Sequence, residues 1–314
     1  HVVDILAILA TVLGLATSLG LGAQQAASGL KYLFNMDGGL TTQISFIVII
    51  AFVTVLSVVR GLDRGIRVLS NFTMALAVAL LGYILFVGPT GDIITSYGAA
   101  LVQYGGAYLP LSNFVGREDT TYFHGWTIFY WAWWISWSPF VGLFLARISY
   151  GRSVREFIAI TLLAPLAIAT IWFSSFGTAA IHQSKNGMGA LSDGIGDVSL
   201  VLFQLFDVLP IGAIASIFAL VLLIVFFVTS SDSGALVIDS VAAGGKTDTP
   251  LIQRVFWACI ISLLAVVLLV GGGAKALESL QAWTLVVALP FTLVLYSTAY
   301  SLVSMMLREH RNNV

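Results

Sequence analysis

The stretch Tyr122–Phe157, YFHGWTIFYWAWWISWSPFVGLFLARISYGRSVREF, decides how the rest of the chain is read. It opens as a tryptophan-loaded apolar run and closes on Arg147, Arg152 and Arg155, the profile of a membrane span followed by a basic connection. Trp131, Trp133, Trp134 and Trp137 fall within seven positions, half of the eight tryptophans in the chain. In a helix, Tyr130, Trp133, Trp137, Phe140 and Phe144 recur at steps of three and four and share one face, with Trp134 on its flank. Two readings fit such a face. Ring quadrupoles hold a cation without a buried counter-charge, at about 0.5–2 kcal/mol per contact, which suits quaternary ammonium groups because they donate no hydrogen bond. Tryptophan and tyrosine also form interfacial belts and fill helix contacts.

Composition extends the membrane reading to the whole chain. It is 59% hydrophobic and 9% charged, with a formal net charge of -1, whereas a soluble domain carries about 25% charged residues. The fold class expected is all-α, a polytopic membrane helix bundle. A bilayer core about 30 Å thick needs roughly 20 apolar residues in a helix. Eight segments qualify: 4–24, 43–60, 73–89, 123–147, 156–177, 210–230, 251–271 and 281–307. Two further stretches, 91–115 and 198–209, are too apolar for plain loops and read as short helices lying on the bundle or at the interface. Of the 14 lysines and arginines, ten cluster after the second, fourth and sixth spans and in the tail, from Arg60, Arg64 and Arg67 to Arg308 and Arg311. The positive-inside rule places that side, and both ends of the chain, in the cytoplasm. The single cysteine, Cys259, lies in an apolar run and forms no intrachain disulfide. The chain starts at His1 and enters an apolar segment without the charged start and small-residue cleavage site of a signal peptide, so it is read as a fragment.

Polar groups inside spans need a reason. In the first span Gly14, Ser18 and Gly22 recur at four-residue steps, with Gly20 alongside, a seam that lets helices approach closely. The sixth span closes on Phe226–Gly234, FFVTSSDSG, with Thr229 and Ser230 three and four residues after Phe226. Hydroxyl and carbonyl oxygens there are hard ligands suited to sodium. The other reading has the hydroxyls bonding back to their own helix and Asp232 capping the next one. Walker, HExxH and GxSxG motifs do not occur, and His1, His124, His182 and His310 are scattered, so neither an enzyme nor a metal cluster is expected.

FYWAWWISWSPFVGLFLARISYGRSVREF resembles the signature of the betaine/carnitine/choline transporter family. SLGLGAQQ (Ser18–Gln25), GLDRGIRVLSN (Gly61–Asn71) and FFVTSSDSG resemble other motifs of that family in the same order, so the resemblance runs along essentially the whole chain. It implies a LeuT-like five-plus-five inverted-repeat fold, of which this chain resembles spans five to twelve. The end of the first repeat would lie at 1–90, an outer connecting helix at 91–122 and the second repeat at 123–307, within a single transporter domain over 1–314. It implies uptake of a small trimethylammonium-type osmolyte such as glycine betaine or choline, driven by an ion gradient. Trp134 and Trp137 would line the central cage, Trp133 the outer approach, and Phe140 would flank the substrate or an ion. The Phe226 carbonyl, Thr229 and Ser230 would form part of a sodium site, and Thr11 would belong to a second one. Sodium is the coupling ion expected, because the sodium-independent exchangers of the family carry an arginine that would fall at Leu13. A proton-driven choline carrier, such an exchanger, or a non-transporting scaffold are the alternatives. The lipid bilayer of the inner (plasma) membrane is the expected surround. Similar family members are trimers, so a homo-oligomer is expected, and nucleic acid is not a partner.

Overall fold

In the computed structural model the described residues are 1–60, 63–118, 120–246 and 248–312. Gly61 and Leu62, which open the GLDRGIRVLSN motif, lie outside them, as do the side chains of Arg60, Arg64 and Arg67. Among the described residues there is no strand. The long helices are α1 (Val2–Phe34), α2 (Leu40–Arg60), α3 (Asp63–Val87) and α4 (Thr90–Ser112). After a single helical turn, α5 (Thr120–Tyr122), come α6 (Phe129–Ile148), α7 (Val154–Lys185) and the short α8 (Val201–Asp207). The chain closes with α9 (Gly212–Ala242), α10 (Leu251–Gly272) and α11 (Ala276–Asn312). Among the described residues eight helices are long and apolar enough to cross a membrane, and each contains or largely overlaps one of the eight segments read from sequence. Stretch 91–115 lies in α4 as far as Ser112, and 198–209 forms a short tight turn followed by α8, which ends at Asp207.

Several helices run further than their apolar cores. The first continues through Gln24, Gln25 and Ser28 to Phe34. It stops where Asn35 takes a left-handed φ of 52° and donates to the Lys31 carbonyl at 3.0 Å, as a C-terminal cap does. The sixth span does not end at the hydroxyl cluster. Helix α9 carries on through FFVTSSDSG to Ala242, because Ala235, Val237 and Ile238 are buried and hold its second half in place. Asp232 is therefore an interior residue of α9, 5% exposed, and does not stand at the start of the next helix.

The chain divides into two compact units, each assembled from separate stretches. One comprises His1–Leu21, Asp119–Leu145 and Ser230–Val314. Its helices meet at small residues: a Cβ on Gly14 would fall 2.6 Å from Ser136 Oγ, and one on Gly20 would fall 2.9 Å from Leu280 Cδ1. The seam expected in the first span is thus a line of close approach, as small residues allow inside a bilayer where lipid tails compete with apolar side chains. Polar bonds add to it. Thr17 donates to the Leu280 carbonyl at 3.0 Å, and Thr284 donates to Thr17 at 2.9 Å. Asp239, 1% exposed, accepts from Thr249 and lies 3.4 Å from Arg254 Nε, tying the end of α9 to the start of α10.

The second unit comprises Gly22–Glu118 and Ala146–Thr229. Its core gathers Leu80, Ile84, Leu205 and Phe206 with Ala179 and Ala215. Gly22 faces the ring of Phe227 and Gly29 the ring of Phe203, where an added Cβ would fall 1.9 Å and 2.4 Å from ring carbons. Helix α4 is held to α7 by Tyr97 on Thr170 at 3.3 Å and by Asp92 on His182 Nδ1 at 2.6 Å. Many large apolar side chains remain exposed, such as Phe86, Val102 and Leu109, which is how a lipid-facing surface is built.

Candidate functional site

The tryptophan helix begins irregularly. Phe123–Ile128 form a π-helical turn before α6 continues as a regular helix, and such wide turns are frequent at functional sites. Pro139 sits inside α6 and has no N–H for the Ile135 carbonyl, its partner one turn back. Ser138 fills that gap, donating its hydroxyl to the Ile135 carbonyl at 2.6 Å. The Ser-Pro pair of the WSPF sequence thus keeps the helix intact across a proline.

The buried stripe of α6 is Phe129, Ala132, Ser136 and Phe140. It is rotated from the face expected on aromatic spacing, on which Tyr130 and Phe144 are exposed. The reason is size: Ala132 and Ser136 let the helix approach a neighbour closely, and Gly14 of α1 is directly against Ser136. Trp133 and Trp137 flank this stripe, partly buried, and both turn their edges to one atom. Trp133 Nε1 donates to Ser18 Oγ at 2.9 Å and Trp137 Nε1 to the same oxygen at 3.2 Å. Rings brace them: Phe129 stacks on Trp133 at 5.3 Å, and Phe140 meets Trp137 edge-on at 5.6 Å. The structure therefore brings Trp133, Trp137 and Phe140 together within one unit. Trp134 is 72% exposed and is not part of this cluster. Ser18 belongs to it, although spacing alone assigned it to the packing seam. Its partners are 115 and 119 positions away, and no local pattern reveals them.

The hydroxyl cluster is simpler. Thr229 Oγ1 donates to the Phe226 carbonyl at 2.9 Å and approaches the Val225 carbonyl at 3.1 Å, one helical turn back. Ser230 follows on the same helix and is half-buried. Thr11 is buried and donates to the Ala7 carbonyl at 2.8 Å. Each of these threonine protons is thus committed to its own helix, as the packing reading has it. A hydroxyl donating its proton still carries lone pairs, so the oxygens keep the chemistry of hard cation ligands. Phe226 and Thr229 fall in one unit, Ser230 and Thr11 in the other. Neither unit by itself holds all four expected ligands.

Taken chemically, the aromatic cluster is an uncharged surface whose indole N–H groups are already engaged. It can hold a cation by its ring faces and offers a substrate few donors of its own.

The family model described as BCCT, betaine/carnitine/choline family transporter, matches residues 1–311. The chain is 53% identical over 315 residues to Glycine betaine transporter 1 of Vibrio parahaemolyticus, covering 99% of this chain and 60% of that protein. It is 53% identical over 308 residues to the glycine betaine/proline/choline/ectoine transporter of the same organism, covering 96% of this chain and 54% of that one. The ectoine/glycine betaine/proline transporter EctP of Corynebacterium glutamicum is 41% identical over 306 residues, with 96% and 50% covered. The chain thus spans between half and three fifths of the length of these relatives. With the family model matched over residues 1–311 of the chain, the chain belongs to the betaine/carnitine/choline family of transporters, a multi-pass membrane family.

Proposed function

We propose that this protein is a secondary active transporter for a quaternary-ammonium osmolyte such as glycine betaine or choline. Uptake is coupled to sodium and proceeds by alternating access. The observation that carries the reading is the aromatic cluster of α6. Trp133 and Trp137 spend their N–H groups on Ser18 and leave ring faces as the surface for a ligand. A trimethylammonium group is matched to such a surface, since it is cationic, apolar on its outside and unable to donate a hydrogen bond. Glycine betaine and choline, two of the substrates in the names of the relatives, carry that group; proline and ectoine, named there as well, do not. In this reading Trp134 and Trp137 line the cage, Trp133 its approach, and Phe140 the flank. The Phe226 carbonyl, Thr229 and Ser230 serve one sodium ion and Thr11 a second. The protein sits in the inner (plasma) membrane with both ends of this chain on the cytoplasmic side, and assembles as a homo-oligomer, a trimer as in similar family members.

The test is uptake of radiolabelled glycine betaine by the protein at its natural full length, in cells lacking their own osmolyte uptake. Accumulation that requires sodium and is competed by unlabelled betaine or choline is expected. Accumulation equal to that of empty cells would leave a non-transporting scaffold. Uptake driven in sodium-free medium by a proton gradient would replace sodium with the proton.

A further inference from the structure

Ser18 lies on α1 at 4% exposure, and its single oxygen is fully used. It donates its proton to the Gly14 carbonyl at 2.8 Å and accepts the two indole N–H groups of Trp133 and Trp137. A serine hydroxyl has one proton and two lone pairs. With the proton committed to its own helix, both lone pairs point away from that carbonyl, toward the indoles. A helix seam needs only a small residue here, and glycine or alanine would pack as closely. The hydroxyl does something a seam does not require: it sets two rings one helical turn apart from a common point. Each indole is then fixed at its edge by Ser18 and braced by a phenyl ring, Phe129 for Trp133 and Phe140 for Trp137.

We propose that Ser18 is the positioning residue of the aromatic site. It fixes the tilt of Trp133 and Trp137 and, by occupying both N–H groups, makes the site present ring faces rather than donors. This gives the site its preference for fully methylated ammonium groups. Without the Ser18 hydroxyl the two indoles would lose their common edge anchor and be held by their phenyl neighbours alone, and their N–H groups would be released as donors. The inference rests on the transport reading above.

The experiment compares Ser18→Ala, Ser18→Thr and Thr284→Ala in the natural full-length protein reconstituted in liposomes, measuring glycine betaine binding and the ultraviolet resonance Raman band that reports indole N–H hydrogen bonding. Thr284→Ala loses a buried bond to Thr17 on α1 without touching either indole. Ser18→Ala is expected to weaken betaine binding about ten-fold, equivalent to about 1.4 kcal/mol, and to shift the indole band toward the unbonded position. Ser18→Thr, which keeps the oxygen, and Thr284→Ala should both bind within about two-fold of the parent, less than the net worth of one hydrogen bond. Parental binding and an unmoved band in Ser18→Ala would overturn the inference, as would an equal loss in Thr284→Ala. Should Ser18→Ala not accumulate, the parent's own spectrum decides: bands assigned through Trp133→Phe and Trp137→Phe must read as hydrogen-bonded, and unbonded bands overturn the proposal. Absence of betaine binding in the parent would instead remove the transport reading itself.

Discussion

Ser18 and Thr229 are both hydroxyl residues inside long apolar helices, and both give their proton to a carbonyl of their own helix. They differ in what reaches the oxygen from outside. Ser18 receives two indole N–H groups from α6, whereas among the described residues the hydrogen bonds of Thr229 stay within α9. The first oxygen is filled and serves to orient other groups. The second keeps lone pairs available, which is what a hard cation needs. A hydroxyl in a membrane helix is therefore read by the fate of its lone pairs rather than by its presence.

Each cluster also has a glycine of α1 against it, and these give the largest expected effect. A Cβ on Gly22 would fall 1.9 Å from the ring of Phe227, a residue of the Phe226–Thr229 stretch. Gly22→Ala must push that ring aside, at about 1–3 kcal/mol of stability, the usual cost of overpacking. Gly14→Ala meets mainly the Ser136 hydroxyl, which can rotate at the loss of its bond to the Trp133 carbonyl, so a smaller loss is expected there. Thermal unfolding in detergent ranks the two. An unchanged midpoint for Gly22→Ala would mean that α1 does not pack there as described.

The aromatic residues come next. Trp137→Leu and Trp134→Leu keep bulk and remove a ring face. Each is expected to weaken betaine binding about ten-fold, since a desolvated cation–π contact is worth about 1–2 kcal/mol. The pair sharpens the comparison because Trp137 is anchored by Ser18 and Trp134, 72% exposed, is not. Equal losses place both rings on the substrate. A loss in Trp137→Leu alone would confine the site to the anchored cluster, and parental affinity in both returns the stripe to packing.

Much of this architecture is legible in sequence for a plain reason: a run of about 20 apolar residues admits few structures in a bilayer. All eight spans follow from that rule. Helix ends do not, because the bilayer rule counts apolar residues while the backbone ladder continues through Gln24 and Gln25, and through Thr229, Ser230 and Ser231, wherever nothing breaks it. The tryptophans of the site stand out as a local cluster, yet the face they bury is set by Ala132, Ser136 and Gly14, whose small size matters only once the partner helix is known. Ser18 was hidden for the same reason. In sequence it is one more small residue at a four-residue step, and its role exists only through residues more than a hundred positions on.

The smallest effect expected is at the hydroxyl cluster, and it bears most directly on the comparison. Thr229 and Ser230 follow Phe226 by three and four positions on an unbroken helix, so among the described residues removing both hydroxyls deletes no bond between helices. The double variant Thr229→Ala, Ser230→Ala should therefore fold with near-parental stability, in contrast to a substitution at Ser18 that strands two indole donors. What changes is the oxygen count open to an ion. Losing two neutral ligands from a sodium site that retains the Phe226 carbonyl should raise the sodium concentration for half-maximal betaine uptake severalfold, roughly 1 kcal/mol or less. Maximal uptake at saturating sodium should be largely kept. The measurement is a sodium titration of uptake in potassium-balanced, choline-free medium. A titration curve unchanged by the double variant, with uptake intact in sodium-free medium, would sink the sodium assignment and leave these hydroxyls as helix-bonded side chains whose lone pairs no ion uses.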